Sequence, residues 1–371
     1  MEAVKNFIRN EIVLVVAFVL AVVSSFVVHP DNKYIDYIDF RTLSILLALM
    51  ITMAGLQRLQ VFRQIGELLV AKMSSIRGVV LVLIGLCFFS AMFITNDVAL
   101  LTFVPFSIVT LSISNRRDLY IIVIVLETIA ANLGSMLTPL GNPQNLYLYS
   151  LTGMSLGAFI KLMLPYSIVA LILLIICGFV FVKAAPVTLA EKHIYERTKR
   201  DRNMIAMYVF TFLVSILVVA RALDYRIGLA IVVVLTLVFD RRVLRKPDYS
   251  LLFTFIFLFI FIGNIKRIPA LSDAIGSFLQ INEVGVSIFL SQFISNVPAA
   301  ILCSGFTNNV DKLIIGTNLG GLGTLIASMA SLISFKQYSY IDGADKKKYM
   351  GVFTLANIIF LIVMCLIYIL L

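Results

Sequence analysis

Apolar residues dominate the chain in long runs that short charged breaks separate. A helix that crosses a bilayer needs roughly 20 mainly apolar residues, and runs near this length recur from one end of the chain to the other. The pattern therefore predicts an all-α polytopic membrane protein. The predicted segments are helices over 11–28 and 40–56, an amphipathic stretch over 57–77, an apolar pair over 78–94 and 98–114, a broken helix over 118–147, a helix over 155–182, helices over 204–220, 226–239 and 250–263, a second amphipathic stretch to 282, a second apolar pair over 284–294 and 297–306, a broken helix over 312–335, and a last helix over 349–371.

Composition supports the same class of protein. Of the 371 residues, 61% are hydrophobic and 13% are charged, whereas soluble domains are about 45–50% apolar and 25% charged. A soluble enzyme and a nucleic-acid-binding protein are excluded. The sequence contains no nucleophile–histidine arrangement, no paired catalytic aspartates and no nucleotide-binding loop. We therefore expect no enzymatic activity and no cofactor other than a coupling ion.

The basic residues predict how the chain sits in an inner (plasma) membrane. With a cytoplasmic N-terminus, 22 of the 30 Lys and Arg residues fall in cytoplasmic breaks, and cytoplasmic loops are enriched in these residues. The net charge of +10 is thus interpreted as this bias and not as a sign of a nucleic-acid partner. The C-terminus is then outside, and each apolar pair must enter and leave the membrane on the same face.

The second apolar pair is too short to cross the membrane twice. Its arms, 284–294 and 297–306, would form helices of roughly 15 Å each, about half of a hydrocarbon core of about 30 Å. They predict a re-entrant hairpin that enters from outside. The arms of the first pair, 78–94 and 98–114, could just span, so this pair is either a hairpin or two full helices. Internal repetition favours the hairpin.

The two halves of the chain resemble each other at their interruptions. Thr95-Asn96 corresponds to Ser295-Asn296, and the sequence Asn-Leu-Gly occurs in both broken helices, at 132–134 and 318–320. We predict two repeats of inverted topology. The first repeat covers 1–182, with hairpin 78–114 from the cytoplasm and broken helix 118–147. A cytoplasmic linker follows over 183–203. The second repeat covers 204–371, with hairpin 284–306 from outside and broken helix 312–335.

Interrupted segments in inverted repeats indicate the binding site of a transporter. Helix N-termini attract anions, whereas backbone carbonyls and Asn, Ser or Thr oxygens suit Na⁺. Small residues that only allow tight helix packing would not explain asparagine at both breaks. The predicted substrate-binding residues are Thr95, Asn96, Asp97, Asn142, Ser295, Asn296, Thr317 and Asn318.

Two acidic residues are candidates for the coupling ion. Asp97 has Val297 as its counterpart, and an intramembrane carboxylate is a functional candidate by default. It could bind Na⁺, carry a proton, pair with a basic group, or simply reach water at the hairpin tip. Glu127 could act similarly or form a structural pair with Lys or Arg. The predicted coupling-ion residues are Asn96, Asp97, Glu127, Asn132, Gly134, Asn296 and Gly320, with possible Na⁺ sites at Asn96/Gly134 and Asn296/Gly320.

At these residues the chain resembles the Ion Transporter superfamily, which includes divalent-anion:sodium symporters, citrate–metal symporters and arsenite efflux pumps. The resemblance covers nearly the whole chain and is carried by Thr95-Asn96-Asp97-Val98-Ala99-Leu100-Leu101, Gly141-Asn142-Pro143-Gln144-Asn145, and Asn318-Leu319-Gly320-Gly321 with Thr324. It implies inverted repeats with two re-entrant hairpins, a homodimer and an elevator-like movement. In the divalent-anion branch, Ser-Asn-Thr tips bind carboxylate substrate and sodium.

This sequence departs from that branch because Asp97 and Val297 stand where threonines are expected. A fixed negative charge disfavours a dicarboxylate unless Asp97 is protonated or bound to a cation. We expect a secondary active transporter of a small carboxylate or inorganic anion, coupled to Na⁺ or H⁺. The alternatives are an arsenite or antimonite efflux permease and a Na⁺/H⁺ antiporter that uses Asp97. A channel remains a further alternative, which repeated hairpins disfavour.

Overall fold

A computed structural model describes residues 11–187 and 197–371. Lys5, Arg9 and Lys192 of the charge argument, and parts of the first repeat and of the linker, lie outside this range. The described residues form helices and contain no β-strand. The helices are α1 (Ile12–Val27), α2 (Lys33–Asp36), α3 (Phe40–Arg58), α4 (Val61–Val70), α5 (Ile76–Ile94), α6 (Asn96–Ile113), α7 (Tyr120–Ser135), α8 (Pro143–Leu151), α9 (Leu156–Phe181), α10 (Lys199–Val219), α11 (Tyr225–Asp240), α12 (Tyr249–Lys266), α13 (Pro269–Ile281), α14 (Glu283–Ile294), α15 (Asn296–Ser304), α16 (Val310–Leu319), α17 (Met329–Ser339) and α18 (Lys346–Leu370).

The predicted membrane-protein class is confirmed. Eight of the described helices are long and apolar enough to cross a membrane, and the bent pair α13–α14, with an angle of 111°, could supply a ninth span. Large apolar side chains on α1, α9, α10, α11 and α18 are exposed on the protein surface. Such extended apolar surface is expected where lipid replaces water as the solvent. The chain is an integral membrane protein.

The interruptions are shorter than the sequence predicted. Each apolar pair is broken at a single residue, Thr95 or Ser295, and Asn96 and Asp97 already lie in the first turn of α6. The amphipathic stretch 57–77 contains the short helix α4, and its two ends belong to α3 and α5.

The two predicted broken helices correspond to two pairs of helices, α7–α8 and α16–α17, with non-helical residues 136–142 and 320–328 between them. Asn132 and Asn318, which the sequence placed at the breaks, lie in the last turns of α7 and α16. Both asparagines therefore lie within a few residues of a break.

The helices form two groups. In one group, α1 packs along α12, and α3 packs against α10 and α11. In the other, α5 and α6 pack around α7, while α14 and α15 pack around α16, and α17 contacts both α6 and α7. Helix α7 is the most buried of the candidate spans. The two groups meet where α3 contacts α6 and α8 and where α12 contacts α15.

Candidate functional site

The two single-residue breaks share an uncommon backbone conformation. Thr95 has φ 72° and ψ 151°, and Ser295 has φ 71° and ψ 153°. This region is almost restricted to glycine and costs of order 1–3 kcal/mol for other residues. Such strain persists only where the surrounding structure enforces it, so both tips are held in place by their neighbours.

Each tip is anchored to the neighbouring helix break by one backbone hydrogen bond. The Asn96 amide donates to the carbonyl oxygen of Gly141 at 3.1 Å, and the Asn296 amide donates to that of Ala327 at 3.0 Å. Gly141 and Ala327 each lie just before the helix that follows its break. The non-helical segments thus satisfy the first amides of α6 and α15, which have no partner within their own helix.

Asn132 connects the first half of the chain to the second. Its side-chain oxygen accepts hydrogen bonds from the Asn96 amide group at 3.1 Å and from Ser328 Oγ at 3.0 Å. Its amide group donates to Ser331 Oγ at 3.3 Å. One buried side chain therefore joins a tip of the first half to the second half's break and to α17.

Asn318 makes the corresponding connections in the other direction. Its side-chain oxygen accepts from Asn142 Nδ2 at 3.1 Å, and its own Nδ2 donates to Asn145 Oδ1 at 2.5 Å. It also donates to the carbonyl of Ile314, one turn earlier in α16. Each half thus places its helix asparagine on the other half's break and following helix.

Sequence analysis did not assign Asn145, Ser328 or Ser331 to the site. Asn142 and Asn145 follow Asn132 at the same spacing as Ser328 and Ser331 follow Asn318. Extending the repeat comparison by these few positions would have found all three residues. The signal was missed because serine in one half replaces asparagine in the other.

A cavity of about 210 Å³ lies beside the first tip. Its walls come from α3, the tip, the first helix break, α17 and the connection before α12. The size is below the roughly 300–1,000 Å³ of typical pockets for drug-sized ligands and therefore fits a small ion. Its polar or charged lining residues are Gln57, Thr95, Asp97, Asn142, Lys246 and Asp248.

Three helix N-termini meet at this cavity. Asp97 and Val98 belong to the first turn of α6, Pro143 is the first residue of α8, and Met329 is the first residue of α17; all four line the cavity. A helix N-terminus carries a partial positive charge, so it favours anions. Some first-turn amides are already bonded within the protein: that of Asn96 to the Gly141 carbonyl and that of Asn145 to Asn142 Oδ1. The cavity therefore combines an anion-attracting backbone with mostly apolar side chains.

The side-chain charges at the cavity have mixed signs. Asp97 contributes a buried Oδ1 that has no hydrogen-bond partner among the described residues. Lys246 and Asp248 are exposed and line the cavity from the other helix group. Within residues 11–187 and 197–371, Lys246 forms no ion pair. A buried carboxyl group without a partner is costly, so Asp97 is suited to bind a cation or a proton.

The cavity lining does not include the second tip. Ser295 and Asn296 are buried, and the Asn296 amide group lies beside Gly321. The Thr317 hydroxyl donates to the Leu313 carbonyl in its own helix. The predicted substrate residues thus divide into three that line the cavity, namely Thr95, Asp97 and Asn142, and others that lie behind it or at the second tip.

The two predicted Na⁺-binding glycines lie at close helix contacts. A Cβ atom on Gly134 would lie 2.1 Å from the Phe88 carbonyl oxygen, and one on Gly320 would lie 2.6 Å from Ser291 Oγ. The Gly320 carbonyl also accepts a hydrogen bond of 3.0 Å from Gln292. Each glycine thus allows two helices to approach, which is the packing role of small residues in membranes.

Glu127 lies away from the cavity, fully buried in α7. Ser107 donates a hydrogen bond to Glu127 Oε1. No Lys or Arg of the described residues forms an ion pair with it. The structural salt bridge considered as an alternative for this residue is therefore not found in the described part of the chain.

Comparison with known proteins identifies the class of this protein. A family model described as citrate transporter matches residues 7–312. The chain is 31% identical over 323 residues to inner membrane protein YbiR of Escherichia coli, with 84% of each protein covered. It is 35% identical over 265 residues to an uncharacterized transporter of Methanocaldococcus jannaschii, with 70% of this chain and 71% of that protein covered. The chain belongs to the citrate transporter family and is a membrane transporter.

Proposed function

We propose that this protein is a secondary active transporter that moves a small carboxylate or inorganic anion in exchange with, or together with, Na⁺ or H⁺. The observation that carries the proposal is the meeting of three helix N-termini, from α6, α8 and α17, at one small cavity. The match to the citrate transporter family and the two relatives support the transporter class. The proposed anion site lies at the positive ends of these helices, beside Thr95 and Asn142.

Asp97 is the proposed site of the coupling cation. It lines the same cavity, and its Oδ1 lacks a partner among the described residues. A carboxylate alone would repel an anionic substrate, but a carboxylate that holds Na⁺ or H⁺ would not. Binding of the cation then favours binding of the anion, and binding of the anion favours binding of the cation. This mutual dependence couples their transport.

The proposed mechanism is alternating access by inverted repeats. The matching tips, the matching amide bonds to Gly141 and Ala327, and the reciprocal contacts of Asn132 and Asn318 support this symmetry. Helices α14 and α15 have 12 and 9 residues, or about 18 and 14 Å, which supports a re-entrant hairpin. We propose that the hairpins and broken helices move as an elevator against the group containing α3 and α12.

Orientation and assembly are part of the same proposal. We propose that the protein lies in the inner membrane with its N-terminus in the cytoplasm. The Lys246 side of the cavity then faces the cytoplasm. The state described here is then open inward. A homodimer, as in the superfamily that the sequence resembles, would be detected by light scattering of the purified protein.

A thermal-stability screen of the purified protein tests the proposed function. The ligands are citrate, succinate, sulfate, phosphate and arsenite, each with Na⁺ or with choline and at two pH values. A ligand that binds only the folded state raises its apparent stability by about 2.7 kcal/mol at a concentration 100 times its Kd. We expect one carboxylate or inorganic anion to raise the melting temperature, with the effect strengthened by Na⁺ or by low pH.

Other outcomes would contradict the proposal. Stabilisation by arsenite alone would support an efflux permease, because arsenite is uncharged at neutral pH. Stabilisation by Na⁺ alone in a pH-dependent manner would support a Na⁺/H⁺ antiporter. The acidic pair Asp97 and Asp248 at the cavity is the observation that favours this second candidate.

A further inference from the structure

We propose that Glu127 is a second acidic site, separate from the cavity, that binds and releases the proton coupled to transport. This inference rests on the proposed function as a cation-coupled anion transporter. It concerns a carboxyl group in the helix bundle formed by α5, α6 and α7, outside the lining of the cavity at Asp97.

The Glu127 carboxyl group is buried without a compensating cation. Glu127 is fully buried, and its Oε2 has no hydrogen-bond partner among the described residues. No Lys or Arg in the described ranges forms an ion pair with it. A buried ionised carboxylate that lacks a cation is strongly disfavoured, so the group holds a proton in this conformation. Ionisation requires a rearrangement that brings water or a cation to it.

Polar groups from three helices lie around the Glu127 carboxyl group. Ser107 from α6 donates to Oε1, and the Cys87 thiol from α5 adjoins the same carboxyl group. Tyr349 from α18 lies close enough to interact electrostatically with Glu127. Helices α9 and α17 also pack against α7 but bring no charged side chain to this carboxyl. An apolar core position would not need these three polar partners on three different helices.

A series of polar groups leads from the region of Glu127 towards water at the end of the helix bundle. Glu127 is the eighth residue of α7, about 10 Å from the start of that helix. Tyr349 lies in the first turn of α18 and stacks on Tyr338 with ring centroids 4.8 Å apart. The Tyr338 hydroxyl accepts a hydrogen bond from the amide of Asp345, which is exposed. Polar groups thus extend from the bundle end towards the carboxyl.

The proposed step is simple acid–base chemistry. In one conformation the Glu127 carboxylate takes up one proton from water. In the present structure the resulting acid is sealed among α5, α6, α7 and α18. In the opposite state the acid releases that proton to water on the other side. Ser107 is a positioning residue, because its hydroxyl donates to the carboxyl and stabilises the ionised form.

The test uses the full chain in proteoliposomes with radiolabelled citrate as the probe. An imposed pH gradient drives accumulation in one assay, and citrate counterflow without a gradient is measured over a pH range in the other. We expect Glu127→Gln to lower gradient-driven accumulation by about tenfold or more, a range typical of coupling between two binding sites. Its counterflow should also lose its dependence on pH. The charge control is Asp342→Asn, at an exposed acid outside the site.

Equal pH-driven accumulation by Glu127→Gln and Asp342→Asn would overturn the inference. If Glu127→Gln does not fold, Ser107→Ala decides. Loss of the hydroxyl donor disfavours the ionised carboxyl, so the midpoint of the counterflow–pH curve should move to higher pH. An unmoved midpoint would also overturn the inference.

Failure of the proposed function would look different. If the wild-type chain takes up none of the anions in the screen, the anion-transporter proposal is wrong. The carbonyl stretch of a buried carboxylic acid, measured by infrared difference spectroscopy of purified wild type minus Glu127→Gln, then decides the inference. A protonated band at neutral pH that ionises on alkaline titration supports it, and the absence of that band contradicts it.

Discussion

The tip between α5 and α6 can be compared directly with the tip between α14 and α15. Thr95 and Ser295 have backbone angles within 2° of each other, and the amides of Asn96 and Asn296 make equivalent hydrogen bonds. The side chains one position later differ completely. Asp97 lines a cavity at the first tip, whereas Val297 is buried and apolar at the second.

This comparison separates architecture from chemistry. The backbone of the two tips is set by helix breaks and neighbouring amides, which both halves of the chain supply. Of the two tips only the first carries a charge, so the cation site that we propose at the cavity belongs to that tip alone. Substitutions at and around the two tips test this division.

Replacement of the charged tip residue should have the largest effect. We expect Asp97→Asn to reduce cation-driven anion uptake to background while the protein stays folded, because asparagine keeps the shape but cannot bind a proton and binds Na⁺ weakly. Uptake into proteoliposomes measures the loss, and size-exclusion chromatography checks the fold. Val297→Thr at the other tip is the matched control and should retain coupled uptake. Cation-dependent uptake by Asp97→Asn at the wild-type level would disprove the role of this residue.

Added methyl groups at the two equivalent glycines should affect stability unequally. Gly134→Ala would place Cβ 2.1 Å from a backbone oxygen of Phe88, whereas Gly320→Ala would place it 2.6 Å from Ser291 Oγ and 2.9 Å from the nearest backbone oxygen, that of Gly316. We expect losses of about 3 and about 1 kcal/mol, the upper and lower ends of overpacking costs. Thermal unfolding in detergent gives the order, and a greater loss for Gly320→Ala would contradict the contacts described here.

The asparagines that connect the halves should show equal coupling energies. Double-mutant cycles for Asn132 with Ser328 and for Asn318 with Asn142 remove one hydrogen bond each, of 3.0 and 3.1 Å. In membrane proteins such cycles average about 0.6 kcal/mol, and we expect this value for both pairs. A coupling of zero in one cycle would show that the two halves are not equivalent at this level.

Relief of backbone strain at the tips should have the smallest effect. In Thr95→Gly and Ser295→Gly, the gain from removing a disfavoured φ offsets the added flexibility of the unfolded chain. We expect each variant to match the wild-type stability or to exceed it by up to about 1 kcal/mol. Ser90→Gly, within α5, is the control and should lose about 0.5–1 kcal/mol. Equal losses in all three variants would argue against strain at the tips.

Much of the fold could be predicted because membrane helices are signalled locally. The apolar runs located nearly every described helix, and the two Asn-Leu-Gly sequences located both broken helices. The exact breaks were less predictable. Asn96 and Asp97 look like loop residues in the sequence, yet each can occupy the first turn of a helix, where polar side chains and negative charge are favourable.

The site was predicted in part. Thr95, Asp97 and Asn142 were expected and do line one cavity, and Asn96, Asn132 and Asn318 were expected and lie in the network behind it. Lys246 was counted only as a cytoplasmic charge, because nothing in its local sequence indicates that its loop faces the first tip. Thr317 was expected at the site but bonds to its own helix, an alternative always open to threonine.

The sequence alone predicts a helical membrane protein with two pairs of interrupted helices, because hydropathy and helix-breaking residues act within a few positions of each other. Which helix ends meet depends on the tertiary structure. The N-termini of α6 and α8 meet that of α17 through packing between residues more than 180 positions apart in the chain, and no local pattern specifies that approach. The same long-range packing leaves Glu127 fully buried and Asp97 beside a cavity.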